Sequence, residues 1–162
     1  GIAQDRVYRD QERAFAGIML SKSSKLPHRM YMVDEKWRAL AMHVLIVDDS
    51  RIMRQIVKRS LGKAGFEGLT VSEAANGIEA LDSFHKERPD LILSDWNMPE
   101  MDGMEFLQAI RGEDPKIPFG FITAQSTSKL RKRALQYGAH FLISKPFTPE
   151  ALGAAVNAIM AK

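Results

Sequence analysis

The chain has no cysteine, which excludes disulfides, thiolate metal sites and a cysteine nucleophile. It has no apolar run near the roughly 20 residues that a bilayer crossing needs. It also lacks the charged-then-apolar N-terminus of a secretory signal. Internal repeats and low-complexity tracts are missing too. These absences point to a soluble, cytoplasmic protein without membrane insertion. A length of 162 residues leaves room for one domain with an extension, and a hydrophobic fraction of 45% supports a packed core.

Positive charge is scarce where a nucleic-acid surface would need it. The net charge is +3, and residues 1–41 hold eight Lys/Arg against five acids. The rest of the chain carries fifteen of each sign, so the body has no basic excess and no nucleic-acid partner is expected. The leader reads as an N-terminal extension over 1–41. Val7, Ala14, Phe15 and Ile18 fit an amphipathic helix, and 21–29 fits a linker. Its origin is read as a tag or upstream translation ahead of a start at Met42, in preference to a regulatory helix. The globular domain is then 42–162.

From His43 onward, short apolar runs alternate with amphipathic stretches. The runs 43–47, near 68–73, 91–94, 119–122 and 141–143 predict five strands. Helices follow each of them. The first carries Ile52, Met53, Ile56, Val57, Leu61 and Ala64 at helical spacing until Gly65. Asn76 with Glu79, and Asp102 with Glu105, are cap-and-acid pairs that open two more helices. Residues 128–137 make the fourth, and Thr148-Pro149-Glu150 opens the last with proline in the first turn. This alternation predicts an α/β fold, a parallel sheet of almost wholly apolar strands covered on both faces. Such sheets bind ligands beyond the carboxyl ends of their strands. The reactive candidates Asp48, Asp49, Asp95, Thr123 and Lys145 all follow strand ends.

If the first and third strands are neighbours, Asp48, Asp49 and Asp95 converge. Three such carboxylates repel and call for a cation; oxygen-only ligands suit Mg²⁺, with Mn²⁺ as the alternative. An aspartate beside Mg²⁺ is a competent nucleophile towards a phosphoryl group. Thr123 and Lys145 can supply a hydroxyl and an ammonium to the moving oxygens. Taken singly, an Asp-Asp pair commonly marks a turn or cap, Thr123 could cap a helix, and Lys145 before Pro146 could mark a tight turn. Their joint occurrence in this order favours a site.

The blocks Val-Asp-Asp-Ser (47–50), Ser-Asp-Trp-Asn-Met-Pro-Glu-Met-Asp-Gly (94–103), Thr-Ala (123–124) and Lys-Pro-Phe (145–147) resemble the signatures of response-regulator receivers over about 42–162. The block around Asp95 is especially similar to that of the chemotaxis (CheY) members. The resemblance implies a flavodoxin-like, CheY-like sheet of order 2-1-3-4-5 with five helices. It makes Asp95 the phosphoacceptor. Asp49, Asp95 and the backbone carbonyl of Asn97 would hold Mg²⁺ directly, with Asp48 acting through water. Thr123 would meet the phosphoryl group and shift with it, and Lys145 would pair with it. The peptide before Pro146 would be cis, Ala124 would leave space for the phosphoryl group, and Asn97 and Gln125 would tune its hydrolysis.

One position departs from the family. Leu142 stands where many receivers place a Tyr or Phe switch, and it reads equally as ordinary packing or as part of an altered output surface; strand alternation turns Phe141 to the opposite face. The basic run Lys129, Arg131, Lys132, Arg133 on the fourth helix reads as a solvated face; the family alternative makes Leu142, Lys129 and Arg133 an output surface for an acidic partner. Met98, Met101 and Met104 read as packing around the acceptor loop. The histidines form no metal or catalytic set. The function implied is a stand-alone, non-enzymatic switch that takes phosphate from a sensor histidine kinase and changes affinity for a protein partner. A flagellar-motor partner in chemotaxis is its most specific version. A phosphorelay intermediate is the alternative. A small phosphatase is disfavoured, because Trp96-Asn97 follow Asp95 where a haloacid-dehalogenase-type site would repeat an aspartate.

Overall fold

A computed structural model describes residues 42–160; the helix and linker read into 1–41 lie outside the described residues. Five strands alternate with five helices: β1 His43–Val47, α1 Arg51–Lys63, β2 Thr70–Ala74, α2 Gly77–Lys86, β3 Leu91–Ser94, α3 Gly103–Glu113, β4 Phe119–Thr123, α4 Ser128–Gln136, β5 Phe141–Ser144 and α5 Pro149–Met160. All strand pairs are parallel and the order is β2-β1-β3-β4-β5, as the resemblance implied. β2 starts two residues later than its apolar run indicates, because Gly68 takes a left-handed turn (φ 73°) before it.

Strand alternation splits the core into two layers. Leu45, Val47, Ile92, Phe119, Phe121 and Leu142 face α2, α3 and α4, where Phe84, Phe106, Leu107, Ile110 and Ala134 meet them. Val44, Ile46, Leu91, Leu93 and Ile122 face α1 and α5, against Val57, Leu61, Leu152 and Val156. On α1 the inward stripe is Val57, Ser60 and Leu61. Ile52, 73% exposed, and Ile56 point outward, so that apolar pattern ran wider than the buried face. Each fully buried Leu, Ile or Phe contributes roughly 1.5–3 kcal/mol. A core with a dozen such side chains therefore outweighs the few kcal/mol of charge crowding at the strand ends.

The helix starts follow the cap chemistry. Ser50, Asn76, Asp102 and Thr127 accept from the backbone N–H three residues on. Asp102 and Glu105 close a reciprocal capping box. At α2 the acid instead reaches one residue further back, with Glu79 accepting from the Ala75 N–H at 2.7 Å. Among the described residues no helix is long and apolar enough to cross a membrane.

Candidate functional site

The topology places β1 between β2 and β3, so the residues leaving β1 and β3 stand side by side. Val47 pairs with Ser94, the last residue of β3, and the Asp95 N–H donates to the Val47 carbonyl at 2.8 Å. Asp48 is buried, 4% exposed. Its N–H donates to the Ala74 carbonyl at 3.0 Å, and its Oδ1 accepts from the Ser50 N–H at 2.9 Å. Asp49 is exposed, and its carboxylate has no hydrogen-bond partner among the described residues. The chain thus buries one carboxylate of the pair and turns the next towards solvent.

Lys145 follows β5 and returns across the sheet end. Its N–H donates to the Thr123 carbonyl at 2.9 Å, and the Lys145–Pro146 peptide is cis, as the resemblance implied. The Nζ donates to Asp48 Oδ2 at 2.7 Å and lies 3.2 Å from Asp95 Oδ2. Both carboxylates therefore share one ammonium. Asp95 Oδ1 accepts from the Trp96 N–H at 2.7 Å. The Trp96 ring, 8% exposed, packs on Phe121 with centroids 4.8 Å apart. One ligand atom from each of Asp48, Asp49 and Asp95 lies within 4.8 Å of the others.

Burial raises the Asp95 pKa; the Asp48 charge adds to the rise, and Lys145 and the Trp96 N–H only partly oppose it. Burial would lower the Lys145 pKa, but the hydrogen bond to Asp48 and the charges of Asp95 and Asp48 outweigh it and hold it above the ordinary lysine value. The site is short of positive charge: three carboxylates face one ammonium. Hard oxygen donors, one of them unpartnered and exposed, fit a small divalent cation.

The sign for Asp95 gives a prediction. A folded pKa above the unfolded one means that ionised Asp95 opposes folding, a penalty absent at acid pH and complete once pH passes the raised value. Metal-free Asp95→Asn is therefore expected to be more stable than the parent near neutrality. Urea unfolding in chelator should show that gap close as pH falls towards the ordinary aspartate range. A gap that is reversed, or constant with pH, would contradict it.

The structure brings Asp48, Asp49, Asp95 and Lys145 together as expected. Thr123, 1% exposed, ends β4 beside them, its Oγ1 accepting from the Gln125 N–H at 3.3 Å. Asn97, Ala124 and Gln125 are exposed on the adjoining loops. Met104 is buried in the α2–α4 layer, and Met98 and Met101 pack against it. Lys129, Arg131, Lys132 and Arg133 are all exposed on α4. Leu142 is a correction. At 1% exposure it is enclosed in the layer facing α2–α4, so it lines no accessible surface here. Phe141 lies on the other face, as alternation requires. Sequence reasoning missed Arg54, whose guanidinium reaches the Asp48 carbonyl. Its only signal was a basic residue one turn into the helix that follows the acidic pair.

A family model for the response regulator receiver domain matches residues 44–157. A probable chemotaxis protein CheY of Rhizobium etli is 39% identical over 118 residues, covering 72% of this chain and 90% of that protein. The response regulator MprA of Mycobacterium tuberculosis is 36% identical over 121 residues, covering 75% of this chain. The chain spans about half (51%) of the length of that relative. Among solved structures, the CheX-CheY-BeF3-Mg+2 complex from Borrelia burgdorferi matches with a TM-score of 0.68 and 30% identity, covering 75% of this chain and 90% of that one. With the strand order and the acid cluster already in place, these likenesses make the protein a member of the response regulator family, and its described fold a receiver domain of two-component signalling.

Proposed function

We propose that Asp95 is the phosphoacceptor of this receiver, taking a phosphoryl group from a sensor histidine kinase in a Mg²⁺-dependent reaction. The observation that carries the reading is the position of Asp95: half-buried at a strand end, 3.2 Å from Lys145 Nζ and grouped with Asp48 and Asp49. An Asp95 carboxylate oxygen forms the new P–O bond as the P–N bond to the kinase imidazole breaks, and the nitrogen keeps the electron pair. Asp49 and Asp95, with the Asn97 carbonyl, would hold Mg²⁺ directly and Asp48 through water. The bound ion supplies positive charge to the transferring oxygens. Lys145 and Thr123 meet those oxygens with an ammonium and a hydroxyl. Phosphorylation then biases a two-state surface that a protein partner reads.

Chemotactic signalling is supported by the 39% identity to the Rhizobium etli protein, most of whose length is matched, and a flagellar-motor partner would be its most specific form. The comparable likeness to MprA, matched over half its length, favours a second reading as the receiver of a longer response regulator. In either role the chain catalyses only its own phosphorylation and dephosphorylation. Incubation with acetyl phosphate is expected to add one phosphoryl group per chain with Mg²⁺ and none in chelator, read by intact mass. Release of many equivalents of phosphate per chain per minute would make the protein a hydrolase and end this reading.

A further inference from the structure

Among the described residues, every polar atom of Asp48 has a protein partner. Its N–H donates to Ala74, Oδ1 accepts from the Ser50 N–H, and Oδ2 accepts from Lys145. The fourth partner is Arg54, one turn into α1, whose Nη1 donates to the Asp48 carbonyl at 2.7 Å. The same guanidinium donates through Nε to Glu73 Oε1 at 2.9 Å. Glu73 sits on β2 and also accepts from Gln55 Nε2 at 3.3 Å. Arg54 is 15% exposed. A forked cation therefore spans a carboxylate on β2 and the carbonyl that joins Asp48 to Asp49.

That carbonyl belongs to a planar peptide. Fixing its oxygen also fixes the direction in which the chain enters Asp49, whose exposed side chain no other described residue holds. The geometry points to Arg54 as a positioning residue for the acidic site: by clamping the Asp48–Asp49 peptide it aims the Asp49 carboxylate at the shared cation position. Groups that orient metal ligands commonly change metal affinity by 10–100-fold when removed. This role rests on the Mg²⁺ reading above, and it can be tested apart from it.

Two effects of removing Arg54 have opposite signs. Deleting the positive charge held at the Asp48 carbonyl should, by charge alone, tighten Mg²⁺ binding. Releasing the peptide should weaken it. Arg54→Met, which keeps most of the apolar stem, is expected to bind Mg²⁺ about 10-fold more weakly in titration calorimetry, while its metal-free unfolding stays cooperative. Arg54→Lys keeps the charge, but its ammonium cannot span both acceptors, so it should also bind more weakly than the parent. Affinity equal to or tighter than the parent's in either variant would overturn the positioning role. A parent chain that bound no Mg²⁺ would instead remove the metal reading, and this role with it.

Discussion

Gly103→Ala is expected to destabilise the fold by about 3 kcal/mol or more and to lower Tm by roughly 10 °C. A Cβ at this position would stand 2.1 Å from the Asp95 carbonyl oxygen and 2.9 Å from both the Trp96 Cα and the Phe121 ring. Two of those three atoms are backbone, so a rotamer change cannot relieve the clash. The Gly103 N–H also donates to the Trp96 carbonyl at 2.8 Å, which seats the first turn of α3 directly on Asp95 and Trp96. Any shift that admits the methyl moves Asp95, so phosphoryl acceptance should fall with stability. Gly112 lies in the same helix with nothing within 4 Å of its notional Cβ. Gly112→Ala should therefore be neutral or stabilising, by up to about 1 kcal/mol. Thermal unfolding of the two variants with the parent tests the pair; similar Tm values for both would contradict the close approach.

Lys145→Ala is expected to lose about 2–3 kcal/mol in chelator, because Asp48 and Asp95 would be left without their shared counter-ion in a site where neither is well solvated. Lys145 has its pKa held up by those carboxylates against burial. The stability it contributes is therefore complete at neutral pH and fades only as pH climbs through that raised value. A divalent cation among the same oxygens should replace much of what the ammonium supplied. Urea midpoints should show a large deficit in chelator and a smaller one with millimolar Mg²⁺. Equal deficits under both conditions would mean that the carboxylates and Lys145 do not share one electrostatic site.

Much of the fold was legible because its punctuation is chemical. Asn76 and Asp102, read as helix openers, cap helices through their own oxygens, and the apolar runs of β1, β3 and β4 are buried along their whole length. Propensity alone misjudged the details that tertiary packing decides. β2 carries Ser72 and Glu73 and is only partly buried, so its start depended on the turn at Gly68. Ile52 and Ile56 share a helical spacing with the core residues but face solvent. The site residues were legible because Asp48, Asp49, Asp95, Thr123 and Lys145 all sit at strand ends. Their convergence depends on strand order, which periodicity does not contain and which came from the resemblance. Arg54 was invisible for the same reason: its partners are a backbone carbonyl and a glutamate on β2, a meeting that exists only once β2 lies beside β1. At Leu142 the sequence left packing and an output surface both open, and its strand face puts it inside the core.

The carboxylate held between Trp96 and Lys145 is the group expected to receive the phosphoryl group. The most direct test is to phosphorylate the chain with acetyl phosphate and Mg²⁺, reduce the acyl phosphate with borohydride, and locate the resulting homoserine by peptide mass spectrometry. Homoserine at position 95 alone, absent from Asp95→Asn, is the predicted result. Homoserine at Asp48 or Asp49, or none in a chain that binds Mg²⁺, would contradict the account.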